Sequence, residues 1–287
     1  MNAGASLEVL ASEAEFQDLS RSAARRDVSL PYLRRRGRGL LRIVLPLALL
    51  VVWEIGSATK VISEETLPSP ATVVAQFHQL IATGQLQAAL GISLRRAALG
   101  LLFGFAVGAG FGLLNGASRL GEEIFDSTMQ MFRMIPFLAI IPLLIVWFGI
   151  GETAKVVLIA FACVFPAYIN TYAAVRSIDP KLIEAARVFG LRGRKLARTV
   201  ILPNALPGVL VGLRYSMGVS ILALIAAEEI NANSGLGYLV SVAQTALNNN
   251  VIVALVIVYG VLGLLIDAIV RVLEAVLLPW RPSGVRK

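Results

Sequence analysis

The 287-residue chain has one cysteine, one histidine and few charges. Cys163 on its own excludes an intrachain disulfide, and its apolar neighbours in sequence mark it as an inert buried thiol rather than a nucleophile. His78 is the single histidine, so a His/Cys metal site within one chain is excluded. Charged residues make up only 15% of the chain and hydrophobic residues 57%. A soluble domain carries about 25% charge, so this balance points to a polytopic membrane protein. No GxxxxGK[ST] phosphate loop, GxSxG elbow or HExxH pair is found, which leaves the chain without a catalytic motif or a nucleotide site of its own. The formal charge of +8 would suit nucleic acid. Cytoplasmic loops of membrane proteins also gather Lys and Arg, and that reading fits the composition better.

What is present is a series of apolar runs near the ~20 residues needed to cross a bilayer. The hydropathy predicts an all-α protein with six spans, at about 40–58, 94–115, 127–149, 154–175, 205–227 and 250–274. Residues 1–38 read as a cytoplasmic, mobile tail ending in Arg25, Arg26, Arg34, Arg35, Arg36 and Arg38. They are too long for a signal peptide, so the first span is expected to be retained. Residues 39–280 form the membrane domain, and 281–287 a second cytoplasmic tail. With both termini inside, the Arg cluster, Arg119, the run from Arg176 to Arg198 and Arg281, Arg286 and Lys287 all fall in the cytoplasm. Lys60, Lys155, Arg95 and Arg96 are left outside, a strong positive-inside bias. Pro136 and Pro142 should kink or partly unwind the third span.

Gly100, Gly104, Gly108, Gly112 and Gly116 recur every four residues in the second span. They form one stripe, which lets another helix approach closely in lipid. Two uses fit it, plain close packing and a face that slides during gating.

Arg133 and Arg214 lie inside predicted spans, Arg214 near mid-membrane. Charges there face the bundle interior or a wet cavity. A guanidinium fork suits oxyanions, so either arginine fits a translocation path for a small anion. Pairing with a carboxylate or snorkelling to the interface fits equally. Glu228 and Glu229 end the fifth span on the outer side, followed by Asn231, Asn233, Ser234, Gly235 and Gly237. That segment reads as a docking surface or outer gate, or as a polar re-entrant turn with no ligand role.

The polar insert 176–204 between the fourth and fifth spans is the most informative segment. Asp179 and Pro180 start a helix. Leu182, Ile183, Ala186 and Val188 or Phe189 give it an apolar face, and Gly190 ends it. A second short helix at about 193–201 carries Arg194, Lys195 and Arg198, with Pro203 and Pro207 closing the insert. Two short helices at an angle make a rigid knob able to transmit a push. An interfacial helix on anionic lipid is the other reading.

The insert resembles the signature loop of bacterial ABC-importer permeases. That loop, Glu-Ala-Ala-x3-Gly-x9-Ile-x-Leu-Pro, reads here Glu184-Ala185-Ala186, Gly190 and Val200-x-Leu202-Pro203, with Val in place of Ile. LPSP at 67–70, SLRRAALG at 93–100, IPFLAIIPLLIVWFGIG at 135–151, INT at 169–171, LPNALPGVLVGLR at 202–214 and ANSGLGYL at 232–239 extend the likeness over roughly 40–280. Together they resemble the nitrate/sulfonate/taurine branch, and most of all aliphatic sulfonate permeases.

The resemblance implies a type I importer permease in the bacterial inner membrane, acting as a homodimer. It also implies two cytoplasmic ATPase subunits carrying Mg-ATP and an extracytoplasmic solute-binding protein. Glu184, Ala185, Ala186, Gly190, Leu202 and Pro203 would dock on the ATPase. Nitrate, taurine, bicarbonate and a vitamin precursor stand beside sulfonate as substrates. A secondary transporter would need two related halves, and no internal repeat is seen. A membrane-embedded enzyme would need a His, Cys or paired-carboxylate set inside the spans.

Overall fold

The computed structural model describes residues 34–118 and 121–280. The expectations for residues 1–33, Arg119 and the tail 281–287 lie outside the described residues. The chain divides into two units after Thr59. The described part of the first is helix α1, Arg34–Ala58. It begins within the expected tail, so residues 34–38 are helical. Among the described side chains its apolar portion is Val44–Ala58.

The second unit is helical among its described residues. Helix α2 is Pro70–Ala82, capped by Ser69, whose hydroxyl accepts from Thr72 N. Helix α3 runs Gln85–Ala117 and so starts nine residues before the expected span. A π turn, Glu122–Asp126, leads into α4, Ser127–Arg133. A 3-10 turn, Phe137–Ile140, leads into α5, Ile141–Phe148. Helix α6 is Glu152–Arg176 and α7 is Pro180–Val188. Helix α8, Gly193–Leu196, passes through a π turn at Ala197–Ile201 into α9, Leu202–Asn231. Helices α10, Leu236–Thr245, and α11, Asn249–Leu277, complete the chain.

Among the described residues four helices are long and apolar enough to cross a membrane: Gln85–Ala117, Glu152–Arg176, Gly193–Ile230 and Asn249–Leu277. The pair α4 and α5 adds a fifth if counted as one span, bent by 86° at its break. The bend falls at Pro136, which has no N–H to continue the helix. Pro142 lies in the first turn of α5, where no N–H partner is lost.

Helix α6 is central. It packs along α3 on one side and α9 on the other, more extensively than any other pair. The glycine stripe explains how α3 comes so near. A Cβ on Gly100 would stand 2.5 Å from Ile159 Cβ, one on Gly112 2.8 Å from Thr171 Cβ, and one on Gly116 2.7 Å from Val175 Cβ. On Gly104 and Gly108 it would overlap the backbone carbonyls of Ala160 and Val164. Backbone-to-backbone approach replaces side-chain packing here, because lipid gives no hydrophobic drive for helices to associate.

The stripe gives a direct test. Gly108→Val should push α3 off α6, cost about 3 kcal/mol by overpacking and sharply reduce folded yield in detergent. Gly110→Ala, two residues on and on the opposite face of the helix, with nothing within 4 Å of its added Cβ, should leave the melting temperature unchanged or slightly higher. Equal melting temperatures for both variants would mean the stripe is not a contact.

Candidate functional site

The insert folds as its residue types dictate at its start. Asp179 accepts from Lys181 N at 2.9 Å and Pro180 opens α7. At the end, Gly190 takes φ 81°, and the amide of Leu191 donates back to Ala186 O at 3.0 Å. That is a left-handed cap, which favours glycine. Ala186, Leu196 and Val200 are buried together, with Ile183, Leu191 and Ile201 packed around them. Glu184 and Ala185 are exposed, and Val188 and Phe189 are each 85% exposed.

The apolar face therefore differs from expectation. Ile183 and Ala186 turn inward, whereas Leu182, Val188 and Phe189 point away from the rest of the chain. At 100° per residue, Leu182, Ala185 and Phe189 form a stripe beside the buried one, with Val188 and Glu184 further round. Leu202 is also exposed, and Pro203 lines a cleft of about 580 Å³ between α6 and α9 with Asn170, Asn204 and Trp280.

A second correction concerns the prolines. Pro203 and Pro207 do not end the insert; they lie in one continuous helix, Gly193–Ile230. The π turn at Ala197–Ile201 sits just before Pro203, and Asn204 Nδ2 donates to Val200 O at 2.7 Å. Such adjustments re-satisfy carbonyls that proline would orphan. The knob is thus one short helix packed on the extended foot of a span.

The outer end holds a polar cluster that sequence reasoning did not assemble. Arg96 on α3 is only 2% exposed, and Glu228 on α9 is fully buried. Arg96 uses all five of its N–H donors. Nε and Nη2 form a fork on Glu152, at 2.7 and 2.5 Å. Nη1 donates to Glu228 Oε1 at 2.7 Å and to Ser234 O at 2.6 Å, and Nη2 also reaches Ser234 Oγ at 3.2 Å. Ser93 Oγ donates to the Glu228 carboxylate at 2.8 Å and accepts from Leu236 N at 2.8 Å. Gly237 N donates to Glu228 Oε2 at 2.9 Å. Lys155 sits 3.5 Å from Glu152, so two cations meet two carboxylates.

Glycine is required in this cluster. Gly235 has φ 114°, and an added Cβ would lie 2.5 Å from Glu228 Cδ.

This overturns the docking reading for Glu228, whose carboxylate is enclosed and fully partnered. Glu229 is half-buried beside it, and Asn231 closes α9. Two of the supposed outer cations, Arg96 and Lys155, are also neutralised internally. The available signal was a carboxylate within the apolar run ILALIAAEEI and an arginine in another, since intramembrane charges pair.

Arg214 and Arg133 are not brought together. Arg214 lies 3.2 Å from Glu274 and 3.8 Å from Asp267, both on α11. Glu274 is three residues and Asp267 ten residues from the end of α11, so the guanidinium is held by carboxylates of the C-terminal half of that helix. Arg133 is exposed at the end of α4, immediately before the 86° break, and has no ion pair among the described residues. A further network links Asn115 to Tyr168, Tyr168 to Asp126, and Tyr172 and Arg176 to Glu122, fixing the π turn onto α6.

Arg96→Met should strand a buried carboxylate, cost about 3–5 kcal/mol and depress yield. Adding Glu228→Gln should recover part of the loss in thermal unfolding. A double variant as unstable as the single one would count against the pairing.

A family model described as a binding-protein-dependent transport system inner membrane component matches residues 100–278. The chain is similar to the protein named aliphatic sulfonates transport permease protein SsuC of Escherichia coli (strain K12). The identity is 45% over 247 residues, covering 85% of this chain and 94% of that one. The protein of the same name in Bacillus subtilis (strain 168) is 41% identical over 250 residues, covering 87% and 91%. Among solved structures, a chain of the MetNI methionine ABC transporter in an inward-facing conformation aligns with TM-score 0.55 and 25% identity, covering 67% of this chain and 97% of that one.

Proposed function

The chain belongs to the family of inner membrane components of binding-protein-dependent transport systems, and on that premise we propose that it is the permease that passes an aliphatic sulfonate through an ATP-driven importer. It is a multi-pass protein of the inner membrane. Permeases of this kind work with ATPase subunits and a binding protein. The proposed assembly is a dimer of this chain on two cytoplasmic ATPase subunits, which carry the Mg-ATP, with the binding protein delivering the anion from outside.

The observation that carries the coupling part is the outward apolar face of α7. Leu182, Val188 and Phe189 are exposed on a helix whose opposite side is packed on the foot of α9. A groove on the ATPase would cover them. Glu184, Ala185, Ala186, Gly190, Leu202 and Pro203 then act in two groups. Glu184, Ala185 and Leu202 stand at the contact, while Ala186, Gly190 and Pro203 hold its shape.

The substrate part rests on the 45% identity to a sulfonate permease across 94% of its length and on the chemistry of arginine. Arg133, with no ion pair among the described residues and next to a broken helix, is the better placed of the two arginines to meet a sulfonate in transit. Arg214, engaged by Glu274 and Asp267, is assigned to the path as a charged constriction. The stripe Gly100 to Gly116 gives the close α3–α6 contact that moves as one body.

The test is ATPase rate in proteoliposomes holding the permease, its ATPase and its binding protein, loaded in turn with alkanesulfonates, taurine and nitrate. Stimulation by alkanesulfonates above the others is expected. A response to nitrate or taurine alone would transfer the substrate within the family, and no response to any anion would remove the anion reading. In the same assay Gly190→Pro, which cannot take φ 81°, and Glu184→Lys should insert normally yet lose stimulation.

A further inference from the structure

The helix that carries Val200 and Leu196 at one end carries Glu228 at the other. Gly193–Ile230 is 38 residues of unbroken helix, about 57 Å at 1.5 Å per residue. Its foot is packed against α7 through Ala186, Leu196 and Val200. Its head is held by Arg96, Ser93 and the amide of Gly237. We infer that the Arg96–Glu228 cluster is a positioning clamp. It fixes the segment 232–237 and helix α10 to the head of this rod, so that contact of the loaded binding protein at the outer face reaches the ATPase-facing insert through one rigid element. The inference rests on the importer reading.

Three features separate a clamp from a merely stabilising pair. Buried ion pairs add little stability against apolar replacements of equal volume, so a cluster that uses every donor of Arg96 is better explained by the geometry it specifies. The segment that it holds is anchored largely through backbone groups, with Leu236 as its one fully buried apolar side chain. Ser234 is bound through its carbonyl and hydroxyl, Gly235 through its lack of a Cβ, and Leu236 and Gly237 through their amides. Loss of the cluster would therefore loosen the turn at Ser234 and Gly235, ahead of the buried Leu236, while leaving the α3–α6 and α6–α9 contacts in place. Finally, the cluster is not sealed. Glu152, which grips one side of the Arg96 fork, has a side chain 64% exposed in the isolated chain.

Arg96→Lys keeps the charge but cannot form the fork, and Ser93→Ala removes the bridge between Glu228 and the Leu236 amide. Both are gentler than removing a charge. In the reconstituted complex with alkanesulfonate-loaded binding protein, each should lower the ratio of stimulated to basal ATPase about five-fold or more, with unchanged amounts of co-purifying ATPase. An unchanged ratio would overturn the clamp. A second readout does not depend on transport. Ser234→Cys, held by Arg96 through its carbonyl, should react slowly with a membrane-impermeant maleimide over the low background of buried Cys163, and faster once Arg96→Lys is added. Equal labelling rates would also overturn the clamp. No stimulation in the complex that retains Arg96 would count against the importer reading, and the labelling rates would still decide the clamp.

Discussion

One guanidinium decides how the outer half of this protein is arranged. Arg96 projects from α3 and meets Glu152 at the start of α6, Glu228 near the end of α9 and the carbonyl of Ser234 ahead of α10. Within a bilayer an unpaired charge or an unsatisfied amide has no water to turn to. The break between α9 and α10 can exist at this depth because its backbone groups are met by Ser93, Arg96 and Glu228. The same requirement makes Gly235 and Gly237 necessary, since Glu228 occupies the space a side chain would need.

Below that cluster the bundle relies on closeness rather than on polarity. Helix α3 contributes almost no side-chain volume to its contact with α6 along the stripe from Gly100 to Gly116. The contact is therefore stiff, and α6 can be shared between α3 and α9. At the other end, α9 does not stop at the membrane surface. It continues to Gly193, passing two prolines and a π turn, and provides the floor on which α7 sits. A push on α7 has no flexible joint to dissipate in before it enters the membrane.

How much of this could be read from residues alone varies by element. The stripe was legible because spacing of four on a helix is itself a geometric statement. The insert was legible because Asp179-Pro180 and Gly190 carry their own start and stop chemistry, and because its motif resembles a known loop. The path of α9 was not. Proline normally ends a helix, and nothing in ARTVILPNALP announces that a π turn and an Asn204 side chain will carry the helix through. The inward face of α7 was only half legible, since Leu182 and Phe189 look apolar in the same way as Ile183 and Ala186, and only the position of Leu196 and Val200 settles which pair is covered. Arg96 was read as one of several outer cations, and for Arg214 pairing with a carboxylate was one of two open readings. Neither set of partners could be named, because they come from helices far apart in sequence, 56 and 132 residues away for Arg96 and 60 for Arg214.

The account turns on the exposed face of α7 being covered by a partner ATPase. The most direct measurement is thiol labelling of a Phe189→Cys variant, alone and in complex with the ATPase, against the buried background of Cys163. The account predicts rapid labelling of the isolated permease and strong protection in the complex. Equal labelling in both, with ATPase bound, would contradict it.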